Sequence, residues 1–274
     1  MTSHVIETVH TGPGQVTLTL PSGQVEVDAV HGLARARVVI EGGAAPQVTE
    51  SDDALTVTGA GSGSGQRRSV TLSGFSAPGV SVGSIELTDV VAGSIKIGGV
   101  EIPTRQPDSD GPVSAQLHVP EGEMVTVTTD GPVRTRGQLA LARVKTTGTQ
   151  SRINVEQADK ADLVSRGDIT VTSAGRLFAD SSFGTVTVER MDRGTVEAWG
   201  DIKVEGLCER TILESHFGAV FAHVSAPLKL SVTARGDITI MCDPDVRLLD
   251  GSQLTSTFGK TTFLTTPDPS ATGR

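Results

Sequence analysis

The chain has 274 residues and a net charge of −9, with 23 Lys and Arg against 32 Asp and Glu. That balance argues against sequence-independent binding of DNA or RNA, which needs cations to neutralise phosphates. Aromatics are scarce (seven Phe, one Trp and no Tyr), so the core must be built from Val, Ile, Leu and Ala, which suits thin aliphatic layers.

The first residues, MTSHVIETVH, show no basic stretch leading into an apolar one, so no secretory signal is read. No run of 18 apolar residues occurs, so no membrane span is expected, and the expected location is cytoplasmic. Residues 1–58 are strand-rich: 16–20 (VTLTL), 25–27 and 55–58 alternate apolar with polar, and 21–23 read as a turn. This section is expected to act as an irregular cap. Residues 59–66 (GAGSGSGQ) read as a flexible loop. The units GSIEL at 83–87 and GSIKI at 93–97 form a matched pair, and 103–112 (PTRQPDSDGP) reads as a projecting polar loop. The best helix candidate, a short one, is 156–164 (EQADKADLV).

From residue 117 the pattern tightens. Gly167, Gly200 and Gly236 each open a Gly-Asp-Ile unit, and they alternate with the Phe-Gly glycines Gly184, Gly218 and Gly259. The gaps are 17, 16, 18, 18 and 23 residues. Gly131 and Gly148 extend the series toward the N-terminus. A near-constant period with turn glycines marks a repeat architecture. Because successive strand residues point to opposite faces, one parity recurs in each copy. Ile169, Val171, Val186, Val188, Ile202, Val204, Ile238 and Ile240 face inward, and Asp168, Asp201 and Asp237 face outward. The predicted fold is all-β: a β-solenoid, parallel β-helix-like, of repeated short strands over 67–264, behind the irregular N-terminal section. Residues 265–274 read as a disordered tail. Phe183, Phe217 and Phe258 are expected to form an internal aromatic column. With a rung of about 18 residues something must lie between these rings, and with a rung of about 35 they touch; the spacing leaves both open.

The recurring GDITV, GDIKV and GDITI units, led in by LHVPEGEMVTV, resemble the bacterial β-strand-repeat family labelled putative adhesins, the YvlB-like group. The resemblance covers residues 80–263 well and the N-terminal part loosely. It implies a β-solenoid and brings no catalytic residues with it.

Asp168, Asp201 and Asp237 form an outward carboxylate series. Aspartate after a turn glycine ordinarily serves local backbone hydrogen bonding; a calcium or sugar ladder is the alternative. The two Arg-Gly-Asp tripeptides at 166–168 and 235–237 fall on the repeat, which already explains them. Arg134, Arg136, Arg143, Lys145 and Arg152 make a basic run without an acid among them, either a solvated face or a dock for an acidic partner. Phe221 lies on the outer parity, and Trp199 stands where the other two copies carry Arg; each is either an interface anchor or covered by a loop of the same chain. The two cysteines, Cys208 and Cys242, are 34 residues apart. In a short-rung solenoid that puts their Cα atoms near 10 Å apart, roughly two strand spacings and too far for a disulfide.

No metal-ligand spacing, nucleophile elbow, P-loop or dinucleotide fingerprint occurs, and no cofactor or metal is expected. The favoured function is a non-catalytic structural or protein-interaction solenoid, with an unknown protein partner or a second copy as its ligand. The alternative is a carbohydrate-binding or carbohydrate-cleaving β-helix acting through the outward acids.

Overall fold

The computed structural model describes residues 3–7, 14–20, 23–33, 35–41, 44–50, 54–60, 70–77, 80–87, 94–97, 100–103, 114–149 and 151–266. Most of the loops expected at 59–66 and 103–112 and the tail expected at 265–274 lie outside them.

The described chain is all strand. The first six are β1 (Ser3–Glu7), β2 (Gln15–Thr19), β3 (Gln24–Val30), β4 (Arg37–Glu41), β5 (Ala44–Glu50) and β6 (Ala54–Ala60). Next, β7 (Val70–Ala77) pairs antiparallel with β8 (Val80–Leu87), and β9 (Ser94–Ile97) with β10 (Val100–Pro103), as two separate two-stranded sheets. The remaining strands are β11 (Ser114–Pro120), β12 (Met124–Thr129), β13 (Val133–Thr146), β14 (Ile153–Ser165), β15 (Ile169–Ser181), β16 (Val186–Ala198), β17 (Ile202–Leu207), β18 (Thr211–Ser215), β19 (Val220–Val224), β20 (Leu230–Ala234), β21 (Ile238–Cys242), β22 (Gln253–Ser256) and β23 (Thr261–Thr265).

From β12 onward every pairing is parallel, and the chain winds a parallel β-solenoid of about seven turns. Ile153, Ile169, Val186, Ile202, Val220 and Ile238 are matched partners in successive rungs. Steps of 16 to 18 residues separate them. One rung is therefore the short period, with one turn glycine per rung.

Each of β13 to β16 is one long strand that bends. In β14 the buried residues are Ile153, Val155, Ala158, Ala161, Leu163 and Ser165. Where the strand is straight the burial alternates; at the bends two outward residues fall together, first Glu156 and Gln157, then Asp159 and Lys160. That three-residue spacing imitates a helical period, which is why 156–164 read as a helix candidate. The segment is strand, because its backbone groups pair with β13 on one side and β15 on the other.

The N-terminal strands belong to the same sheet. β3 lies parallel between β11 and β13, and β2 parallel between β6 and β12. Segments 15–30 and 114–129 thus interleave to build the first rungs. Beyond them the direction changes: β1 and β11 flank β4 antiparallel, and β5 closes antiparallel on β6. A Pro at position 46 in β5 removes a donor from this outer strand, which blunts it as a pairing edge.

The core is aliphatic, as the composition requires. Its largest fully buried side chains are Leu, Ile and one Met. No Phe or Trp is buried among the described side chains. The Phe183, Phe217 and Phe258 column is therefore outside the solenoid, a correction of the internal placement. At that corner the inward position belongs to Ser181, Ser215 and Ser256, and the Phe two residues later projects away from the axis. Cys208 and Cys242 are both free thiols.

Candidate interaction ridge at the glycine turns

Two turn types alternate up one corner of the solenoid. In the first, Ser-x-Phe-Gly, the serine hydroxyl ties two rungs together. Ser181 Oγ donates to the Gly167 carbonyl at 2.8 Å and accepts the Gly184 N–H at 3.0 Å. Ser215 does the same between Gly200 and Gly218, and Ser256 between Gly236 and Gly259. The second type, Gly-Asp-Ile, is not uniform: at Gly167 the register position of these serines is Ser165, whose Oγ accepts the Gly167 N–H at 3.0 Å, whereas at Gly200 and Gly236 it is held by Ala198 and Ala234. There the glycine N–H reaches the rung below directly: Gly200 to the Gly184 carbonyl at 3.1 Å, and Gly236 to that of Gly218 at 3.0 Å.

The aspartates complete the pattern. Asp168 Oδ1 accepts the Thr185 N–H at 3.0 Å, Asp201 Oδ1 the Ala219 N–H at 2.7 Å, and Asp237 Oδ1 the Lys260 N–H at 2.7 Å. Each carboxylate serves the rung above its own. The bond is to backbone, as aspartate chemistry suggests, but it is not local. Asp168 also lies 3.8 Å from Arg152. Among the described residues no group of three or more His, Cys, Asp or Glu side chains is arranged to hold a metal.

Stacking the turns this closely requires glycine. A Cβ on Gly184 would lie 2.4 Å from the Gly167 carbonyl carbon, and one on Gly218 the same distance from that of Gly200. Backbone, not a movable side chain, occupies the space.

The residue before each glycine points outward, and from Phe183 to Phe258 each stacks on its neighbours one rung away. In order these are Arg166, Phe183, Trp199, Phe217, Arg235 and Phe258. The Trp199 ring centroid lies 5.6 Å from that of Phe183 and 5.1 Å from that of Phe217, with both pairs tilted. The Arg235 guanidinium lies 4.7 Å from the centre of the Phe217 ring and 6.0 Å from that of Phe258. The short rung called for something between successive phenylalanines; Trp199 and Arg235 are those residues. The ring pairs contribute about 0.5–1.5 kcal/mol each, and the exposed cation–π contacts about 0.5–1 kcal/mol. The ridge nevertheless stays open to solvent: Phe183 is 66% exposed, Trp199 45% and Phe217 58%. Trp199 is held by its stacking partners, with its outer surface free.

A row of carboxylates runs beside the ridge. Asp180, Glu197 and Glu214 occupy the last outward position before three successive turns and are matched register partners. His216 links row to ridge: its Nε2 lies 2.8 Å from Glu197 Oε1, and its ring centroid 6.2 Å from that of Trp199. Partial burial holds the Asp180 carboxyl above the ordinary carboxylate range; Glu197 adds to this and His216 opposes it. Parity alone could have placed this row, since Asp180, Glu197 and Glu214 share one phase of the repeat. The distance to the turn glycine hides that phase, because it is four residues from Asp180 to Gly184 and from Glu214 to Gly218 but three from Glu197 to Gly200.

The remaining candidates lie elsewhere. Phe221 is half-buried on the outer face, in register between Lys203 and Thr239. Arg136 is 3.6 Å from Asp28, and Arg143 is 3.2 Å from Asp162. Arg134 sits across from Glu26. The basic run is therefore interleaved with acids from neighbouring rungs, and the structure does not gather it into one cationic patch. No helix among the described residues is long and apolar enough to cross a membrane.

The architecture is that of an all-strand solenoid with a lateral aromatic ridge. No family model and no curated protein matches the chain. Solved structures do. A putative adhesin from Parabacteroides merdae superposes with a TM-score of 0.53 at 10% identity, covering 96% of each chain. A putative adhesin from Parabacteroides distasonis gives 0.49 at 12% identity over 96% of each chain. One from Bacteroides fragilis gives 0.45 at 10% identity, over 96% of this chain and 97% of the other. The first of these shares the fold with this protein, and at such identity the likeness is one of fold alone.

Proposed function

We propose that this protein is a non-catalytic interaction scaffold, adhesin-like in fold, that docks a protein partner along the ridge of Phe183, Trp199 and Phe217. The observation that carries the reading is the exposure of stacked aromatics at one-rung spacing on a rigid corner. Exposed, pre-positioned aromatics are the residue type that dominates interface energetics. Their rotamers are already restrained by stacking, so little entropy remains to be lost on binding. A lateral site also suits the way the array ends, because antiparallel strands and a Pro close its N-terminal edge. The carbohydrate alternative finds less support. One oxygen of each of Asp168, Asp201 and Asp237 is engaged in holding the next rung.

The test is affinity capture from the source cells with wild type and Trp199→Ala immobilised side by side. A protein retained by the wild type and lost with Trp199→Ala supports the reading. Equal capture by both, or none, removes it. Solution scattering against concentration tells a second copy of the chain from a different partner.

A further inference from the structure

The ridge already binds a cation of its own, Arg235, on one face of Phe217. The preceding stretch repeats that chemistry without an internal guanidinium between its rings. Phe183, Trp199 and Phe217 stack on one another, and Asp180, Glu197 and Glu214 run beside them on the same three rungs. Among the described residues no Lys or Arg lies within ion-pair distance of Asp180 or Glu214; Glu197 has only His216. Aromatic faces attract guanidinium and ammonium groups, and carboxylates accept bidentate hydrogen bonds from arginine. The chain as a whole carries a net charge of −9, which draws cations toward it.

We propose that the face formed by Phe183, Trp199 and Phe217, together with the row of Asp180, Glu197 and Glu214, binds an extended arginine-bearing segment of a partner protein. This deepens the docking reading above and rests on it. Two rung steps span about 10 Å, and alternate side chains of an extended segment are about 7 Å apart. The face therefore has room for two arginines in an Arg-x-Arg pattern, each laid against the free outer surfaces of the rings with its fork turned to the acid row. Arg166 and Arg235 bracket the face and set its length. Arginine should bind better than lysine, because the planar group both stacks and forks.

Trp199 is the single tryptophan, so its emission reports this site alone. The folded full chain is titrated with a fluorescein-labelled (Arg-Ser)3 peptide, and (Lys-Ser)3 and (Glu-Ser)3 serve as comparisons. Trp199 emission is followed on unlabelled peptide and anisotropy on labelled peptide. Expected are saturable binding of (Arg-Ser)3, a change in Trp199 emission, weaker binding of (Lys-Ser)3 and none of (Glu-Ser)3. Trp199→Ala should weaken binding by about tenfold, and Asp180→Asn with Glu197→Gln by a similar factor. If Trp199→Ala loses the strand signature in circular dichroism, Phe183→Ala takes its place. The proposal is overturned if (Arg-Ser)3 does not saturate, if the aromatic variants bind it as well as wild type, or if (Glu-Ser)3 binds more tightly. Failure of the peptide with Trp199-dependent capture intact removes only the cationic occupant; loss of Trp199-dependent capture as well removes the docking reading beneath it.

Discussion

The Asp237 carboxylate accepts a hydrogen bond at 2.7 Å from the backbone N–H of Lys260, one rung further along the solenoid. The corresponding bonds from Ala219 to Asp201 and from Thr185 to Asp168 make the Gly-Asp-Ile aspartates cross-rung ties. Replacing Asp237 by Ala removes the acceptor and should cost about 0.5–1.5 kcal/mol. Asp237→Asn keeps an acceptor oxygen at the same place and should cost less. Equal losses of Tm in the two variants would show that charge, not the bond, is what matters.

The glycine column is predicted to be intolerant where rungs touch and permissive elsewhere. Gly218→Ala drives a Cβ into the Gly200 backbone and should destabilise by about 2–4 kcal/mol. In Gly206→Ala the nearest atom is the Glu189 carbonyl oxygen at 3.1 Å, which a small shift relieves. Urea melts of both variants check this, and similar midpoints would contradict the close-contact argument.

Ser215 bridges the Gly200 carbonyl and the Gly218 N–H. Ser215→Ala strands both groups at a part-buried corner, for a loss of about 1–2 kcal/mol. Native alanines at this register, Ala198 and Ala234, are accommodated only because their rungs use the glycine-to-glycine bond instead. The readout is hydrogen exchange at the Gly218 amide, which should quicken in the variant and stay slow at Gly200.

Asp180 gives a stability change with a definite sign in pH. Its folded-state carboxyl is held above the ordinary range, chiefly by partial burial and then by Glu197. The folded chain therefore holds this proton more tightly than the unfolded chain does. The resulting stabilisation is complete below the unfolded-state pKa and fades as pH rises through the folded value. Asp180→Asn removes the charge that causes the loss. It should raise Tm near neutral pH and leave it unchanged well below the ordinary carboxylate range. A variant less stable than wild type at neutral pH would refute this.

Much of the fold was legible in the glycine spacing and the strand parity. Ile169, Ile202 and Ile238 face inward because a period of two and a period of about 18 both place them there. The helix candidate at 156–164 misled because a strand rounding a bend spaces its buried residues by three. The candidate site was half legible. Trp199 stood out as an exception to the repeat, and the three phenylalanines as members of it. Their common placement outside the core could not be read, since a turn residue has no strand parity.

The sequence by itself determined an all-strand coil with an aliphatic interior and a glycine at one corner of each rung, because those properties rest on residue types recurring at fixed local spacing. Only the tertiary structure decided which side of that corner the aromatics occupy, that Arg235 and Trp199 fill the gaps between them, and that segments 15–30 and 114–129 interleave. These depend on contacts between residues a full rung or more apart. There the closeness of one backbone to the next, and not any local preference, selects the arrangement.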